Sequence, residues 1–145
     1  DQRLPLFILG NGSNVLLGDD DFKGIVIQLR GAMGNIEFHE DNETVTAGPG
    51  ALLMELGNKI AERGYVGCAY MGVIPGTVGG ALAMNAGCYG DETWNHVAQV
   101  LTLNRKGELH ERPPGEYVLG YRHVALRGDH EEWFMAAWLR FARLF

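Results

Sequence analysis

The sequence predicts an α+β domain dominated by short strands, with one or two helices. Three observations carry that prediction. Short apolar and β-branched runs, such as Leu6-Phe7-Ile8-Leu9 and Gly24-Ile25-Val26-Ile27-Gln28-Leu29, are bounded by glycine or turn residues. One stretch, Ala51 to Arg63, carries apolar residues at helical spacing. No linker divides the chain, so residues 1–145 are expected to form one domain.

The elements follow in order. After Leu6–Leu9 comes Gly10-Asn11-Gly12-Ser13-Asn14, a tight turn whose successive N–H groups point one way, as in nests that hold phosphate oxygens. It is not a dinucleotide fingerprint. Val15 occupies the place of the third glycine, and Leu16 to Asp21 does not read as a helix. No Gly-Lys-Ser/Thr occurs, so a P-loop is excluded as well. Ile36–His39 and Thr44–Ala47 alternate around Glu40-Asp41-Asn42-Glu43 and predict a hairpin. Gly48-Pro49-Gly50 breaks that pattern before the helix.

The helix over 51–63 places Leu52, Leu53, Leu56 and Ile60 on its apolar face, with Glu55, Lys59, Glu62 and Arg63 polar. Gly64 ends it, and Gly57 inside it implies close packing. Val97–Leu103 predicts a strand, Asn104–Gly107 a turn, and Glu108–Arg112 the returning strand. Pro113-Pro114-Gly115 is a loop before Tyr117–His123. Trp133–Phe141 fits a strand or a short helix, and a strand is favoured because it closes the sheet.

Between these elements lies Gly72 to Gly90. It holds six glycines in nineteen residues and almost no charge. No helix or regular strand needs that composition, because each glycine costs backbone entropy on ordering. Thr77, Asn85 and Tyr89 are its polar side chains. The stretch is wrapped either against a ligand or against the rest of the fold, and composition alone leaves both open.

Charge and motifs exclude several functions. Twelve Lys+Arg against eighteen Asp+Glu gives a net charge of −6, which argues against nucleic acid as a partner. No apolar run reaches the roughly 20 residues that span a bilayer, and no signal peptide is visible. Cys68 and Cys88 form neither a CxxC pair nor a disulfide framework, so a reduced, cytoplasmic protein is expected. His39, His96, His110, His123 and His130 show no ligand spacing, and no metal site is expected. Asp19-Asp20-Asp21 reads as a solvated turn. Ser13 lacks a nucleophile-elbow context, and Trp94, Trp133 and Trp138 read as packing. Three features remain: the 10–14 turn, the 72–90 wrap and Tyr121-Arg122. Two glycine-rich backbone segments and an arginine fit an anionic ligand, best a pyrophosphate held by N–H groups.

Gly10-Asn11-Gly12-Ser13-Asn14-Val15-Leu16, Ala47-Gly48-Pro49-Gly50, Ile74-Pro75-Gly76-Thr77-Val78-Gly79-Gly80-Ala81, Met84-Asn85-Ala86-Gly87-Cys88-Tyr89-Gly90 and Gly120-Tyr121-Arg122 occur in this order. In motif and spacing this resembles the UDP-N-acetylenolpyruvoylglucosamine reductase (MurB) family over nearly the whole chain. The resemblance implies the FAD-binding subdomain of the vanillyl-alcohol oxidase (PCMH) type, α+β with mostly short antiparallel and mixed strands. It implies that Gly10, Asn11, Gly12, Ser13 and Asn14 hold the FAD pyrophosphate. Ile74, Pro75, Gly76, Thr77, Gly79 and Gly80 then line the cofactor, and Asn85, Gly87, Tyr89 and Gly90 continue the lining. Arg122 matches the arginine beside the substrate's enolpyruvyl carboxylate. The implied reaction runs from NADPH through FAD to the enolpyruvyl carbon of a UDP-sugar, giving UDP-N-acetylmuramate.

Two positions depart from the family's pattern. Ala69 stands where an acidic residue is common, and Val124 where a serine often follows the arginine. The family's N-terminal subdomain and C-terminal substrate domain are not expected in this chain, nor is a protein partner. A different flavoprotein oxidoreductase of the same superfamily, or a cofactor-free interaction module, stands as the alternative. No His or Cys lies within 10–14 to attach a flavin covalently, which disfavours the first of these.

Overall fold

A computed structural model describes residues 4–29 and 31–143. Strand β1 (Leu6–Leu9) pairs in parallel with β2 (Ile25–Gln28), with Leu6 opposite Ile25. The predicted hairpin is present as β3 (Ile36–His39) and β4 (Thr44–Ala47). Helix α1 (Leu53–Glu62) follows, then β5 (Tyr65–Val66), a 3₁₀ segment (Ala69–Val73) and helix α2 (Val78–Met84). A small hairpin of β6 (Gly87–Cys88) and β7 (Asp91–Glu92) leads through the 3₁₀ turn Thr93–His96 into β8 (Val97–Asn104). Strands β9 (Leu109–Arg112), β10 (Tyr117–Gly120), β11 (His123–Leu126), β12 (Glu132–Arg140) and β13 (Ala142–Arg143) complete the chain.

The central sheet has the order β3-β4-β12-β8-β9 and is antiparallel throughout. The stretch Trp133–Arg140 is thus a strand, as favoured, with Phe141 just beyond its end, and it lies at the sheet's centre between β4 and β8. Its core-facing residues Ala137 and Leu139 meet Val45 and Ala47 of β4 and Val100 of β8 in one cluster. The helices supply Leu53, Leu56 and Ile60 from α1, and Val78, Ala81 and Leu82 from α2. Each fully buried leucine or isoleucine contributes about 1.5–3 kcal/mol of transfer free energy. Trp94 caps this core, its indole N–H donating to Leu82 O at 2.8 Å and its ring lying 4.8 Å from that of Tyr117. Close packing at Gly57 is present: an added Cβ would lie 2.8 Å from Met71 Cβ. Among the described residues, no helix is long and apolar enough to cross a membrane.

Two expectations need correction. Leu52 does not belong to the buried helix face. It is extended, 46% exposed, and bridges to Thr77, because the chain here is held to the glycine wrap before the helix begins. The Leu53 N–H donates to Gly76 O at 2.8 Å, and α1 ends at Glu62, before Arg63. The wrap also contains a helix after all. Thr77 caps it by accepting from the Gly80 N–H at 3.2 Å, and Asn85 ends it in the left-handed conformation. Burial of Val78, Ala81 and Leu82 offsets the roughly 1 kcal/mol that each helical glycine costs relative to alanine.

Candidate functional site

Three segments far apart in sequence converge. The 10–14 turn leaves β1 and approaches the wrap so closely that an added Cβ at Gly10 would lie 2.5 Å from Thr77 Oγ1. One at Gly76 would lie 3.3 Å from Ser13 Oγ. The Gly10 carbonyl accepts from the Gln28 amide at 3.2 Å, which ties the turn to β2. The third segment, Pro49 to Ala51, is laced to α2: the Val78 N–H donates to Ala51 O and the Gly79 N–H to Pro49 O, both at 2.9 Å. Between them opens a cavity of about 410 Å³, walled by Gly10, Asn11, Gly50, Ala51, Glu55 and Thr77.

Backbone and small side chains dominate that wall. Among the described residues, none of the backbone N–H groups of Asn11, Gly12, Ser13 and Asn14 meets a protein acceptor. They are exposed and available to a bound anion. By contrast, the first N–H groups of α2 are all taken, by Ala51 O, Pro49 O and Thr77 Oγ1. The 10–14 turn, and not the helix start, is therefore the anion-compatible element. Glu55, the one carboxylate on the wall, pairs with Lys59 at 3.2 Å. It suits a hydroxyl, not a phosphate. These residues fit a dinucleotide cofactor with a pyrophosphate against the turn.

The wrap divides between the two roles its composition left open. Gly79 packs on Pro49, and an added Cβ at Gly87 would overlap Asp91 O, so both serve the fold. Ile74 is half-buried against the core and Pro75 is exposed. Gly76 and Thr77 face the 10–14 turn. Gly80 is exposed, and beside Tyr89 and Gly90, both at positive φ, the backbone is open to solvent. Asn85 is buried at 4% exposure. Its amide donates to the Glu92 carboxylate and to Gly120 O, the latter at 3.1 Å, and its carbonyl accepts from the Trp94 N–H at 3.1 Å.

Arg122 lies in a two-residue turn between β10 and β11, where Gly120 pairs with His123. Its φ is +50°, a conformation that glycine or asparagine usually supplies. Its guanidinium lies 5.6 Å from the centre of the Tyr121 ring and Nε donates to the Tyr121 hydroxyl at 3.4 Å. Among the described residues no carboxylate pairs with it. Val124 is half-buried against the core, so it is a packing residue of β11. Ala69 is exposed at the start of its 3₁₀ segment.

Two further charged groups are structural. The Glu132 carboxylate accepts from Arg112 Nε at 2.7 Å and from Thr102 Oγ1 at 2.6 Å. Arg112 holds its pKa down to about 2, against the opposing effect of burial. His96 lies between the rings of Tyr70 and Phe141 and contacts Asp91 at 2.7 Å. Burial would raise the Asp91 pKa, but hydrogen bonds from Asn95, His96 and the Glu92 N–H leave it lowered. Among the described residues no cluster could hold a metal.

The sequence and the fold find counterparts among known proteins. The family described as "FAD binding domain" matches residues 1–112. The chain belongs to the FAD binding domain family. As an FAD binding domain it places all three converging segments inside the matched region, while Arg122 lies beyond it. The chain is 43% identical over 150 residues to a UDP-N-acetylenolpyruvoylglucosamine reductase of Thiobacillus denitrificans, covering 95% of this chain and 46% of the relative. It is 44% identical over 145 residues to that of Methylococcus capsulatus, covering 95% and 44%. The crystal structure of UDP-N-acetylenolpyruvylglucosamine reductase (MurB) from Thermus caldophilus superposes with a TM-score of 0.80 at 29% identity, over 98% of this chain and 50% of that one. The chain thus spans about half the length of the relatives it matches. Gly50, Ala51 and Glu55 of the cavity wall escaped the residue-level reading. The sequence signals there were the Gly48-Pro49-Gly50 break and its place among the motifs of the resemblance, neither of which assigned these residues to a wall.

Proposed function

We propose that this chain is the FAD-binding part of a UDP-N-acetylenolpyruvoylglucosamine reductase, with NADPH as hydride donor and a UDP-sugar as substrate. The observation that supports it is a cavity bordered by Gly10 and Asn11 of a turn whose N–H groups from Asn11 to Asn14 meet no acceptor among the described residues. Bound FAD supplies the hydride relay between nicotinamide and the enolpyruvyl carbon. The residues here bind and orient. Gly10 to Asn14 offer N–H groups to the pyrophosphate, and Gly76 and Thr77 close the wall behind it. Ile74, Pro75 and Gly80 carry the lining toward Tyr89 and Gly90, with Gly79 and Gly87 shaping the backbone that does so. Arg122 presents a planar, permanently charged fork to the substrate carboxylate and stabilises negative charge that develops next to it. Both cysteines are free, which supports a cytoplasmic setting. In the complete enzyme, NADPH should bleach the flavin and the UDP-enolpyruvyl sugar should restore its colour. A flavin that bleaches but is not recoloured by that sugar would remove the substrate assignment.

A further inference from the structure

We infer that Asn85 is a positioning residue: with Glu92 it clamps the base of the Arg122 turn, and so sets where the guanidinium stands. The inference rests on the reading that Arg122 meets the substrate carboxylate. Three observations carry it. Asn85 is buried, and both of its amide protons are committed, one to Glu92 and one to Gly120 O. An asparagine amide has no further donor, so this side chain has none to give a cofactor. Its carbonyl accepts from the Trp94 N–H, and only one orientation of the amide satisfies all three contacts.

The geometry reaches across the fold. Asn85 ends α2, Glu92 belongs to β7, and Gly120 immediately precedes Tyr121-Arg122 in the β10–β11 hairpin. Gly120 and His123 are the pair that closes the turn. A fixed carbonyl at Gly120 therefore fixes one end of a turn whose second central residue, Arg122, is held at positive φ. Ending a helix in the left-handed conformation asks only for glycine or asparagine backbone. The side-chain contacts go beyond that requirement. The negative carboxylate of Glu92 also selects the amide over an acid at position 85, since a second carboxylate there would face it directly.

The test uses the complete, flavin-loaded enzyme. In Asn85→Gly, which keeps the helix end but removes the clamp, recolouring of reduced flavin by the UDP-enolpyruvyl sugar should slow about 10–100-fold. Flavin content and bleaching by NADPH should stay within about twofold. Glu92→Ala should do the same, and Glu92→Gln, which keeps an acceptor, should restore most of the loss. Hydrogen exchange across 118–124 should quicken in Asn85→Gly and Glu92→Ala while the central sheet is unchanged. Lost flavin at unchanged recolouring rate per bound flavin would overturn the inference and make Asn85 a cofactor or folding residue. Unchanged exchange and rate in Glu92→Ala would overturn it too, even if Asn85→Gly failed to fold. Arg122→Ala is the control: if it leaves recolouring unaffected, the underlying reading of Arg122 fails first.

Discussion

A positive φ at arginine costs roughly 1–2 kcal/mol relative to a glycine in the same place. Arg122 accepts that cost as a central residue of the β10–β11 turn, and among the described residues no carboxylate pairs with its guanidinium. Arg122→Gly should leave thermal stability unchanged or raise it by up to about 1 kcal/mol, with flavin still bound. Recolouring by substrate should fall at least about a hundredfold in the same variant. A lower melting temperature would show that the arginine holds the hairpin together. The contact between Gly10 and Thr77 gives a second expectation. Gly10→Ala alone should cost about 1–3 kcal/mol by crowding Thr77 Oγ1. Thr77→Ala should cost about 1 kcal/mol through the lost helix cap. In the double variant the clash is gone, so its cost should fall short of the sum of the two single costs by about 1–3 kcal/mol, read from denaturant midpoints. Full additivity would mean that the turn and the wrap do not touch. At this scale the motifs singled out the 10–14 turn and Thr77, which the structure brings together, and passed over Glu55. Which glycines serve the ligand and which the fold was not legible, because Gly79 and Gly87 reveal their role only through Pro49 and Asp91.

Among the elements, β12 shows how a polar group can fix a sheet. Glu132 begins the central strand and is met there by Arg112 of β9 and Thr102 of β8. Its folded pKa is about 2, below the ordinary value of 4.5, so the folded state binds this proton less readily than the unfolded chain. The resulting stabilisation is complete above about pH 4.5 and is lost as pH falls through about 2. Over that window it amounts to about 3 kcal/mol. Glu132→Gln should therefore lower stability by about 3 kcal/mol at pH 7 and flatten the acid limb of the stability profile. Equal acid slopes in the two proteins would contradict this. Strands β1–β4, β8, β9 and β12 and helix α1 were readable from apolar runs and turn residues, although β1 and β2 are less buried than their composition suggests. Helix α2 was not readable, since its glycines argue against a helix unless the Thr77 cap and the burial of Val78, Ala81 and Leu82 are known. Leu52 misled for the opposite reason: it continues the apolar spacing, but its bridge to Thr77 holds it extended and half in water.

At the scale of the molecule, burial is uneven. The central sheet and both helices share one core, whereas Phe7, Ile25, Val26 and Ile27 of the β1–β2 pair stay exposed. Parallel strands are ordinarily covered on both faces. In this chain the amides of β1 and β2 should exchange with solvent through local opening, well before those of β8 and β12, which should exchange only on global unfolding. Equal protection would show that the pair is as firmly held as the sheet. This matters for the site, because the 10–14 turn hangs from β1 while Thr77 belongs to the core. A cofactor spanning both would join the looser part to the firmer one. The most direct test is a titration of FAD and of riboflavin, which lacks the pyrophosphate, into wild-type protein and into Asn11→Asp. Asn11 is exposed and forms no described hydrogen bond, so folding should be untouched, while its new carboxylate would face the pyrophosphate. FAD affinity should fall at least about tenfold with riboflavin binding unchanged. FAD bound equally well by both proteins, or by neither, would contradict a pyrophosphate site at this turn.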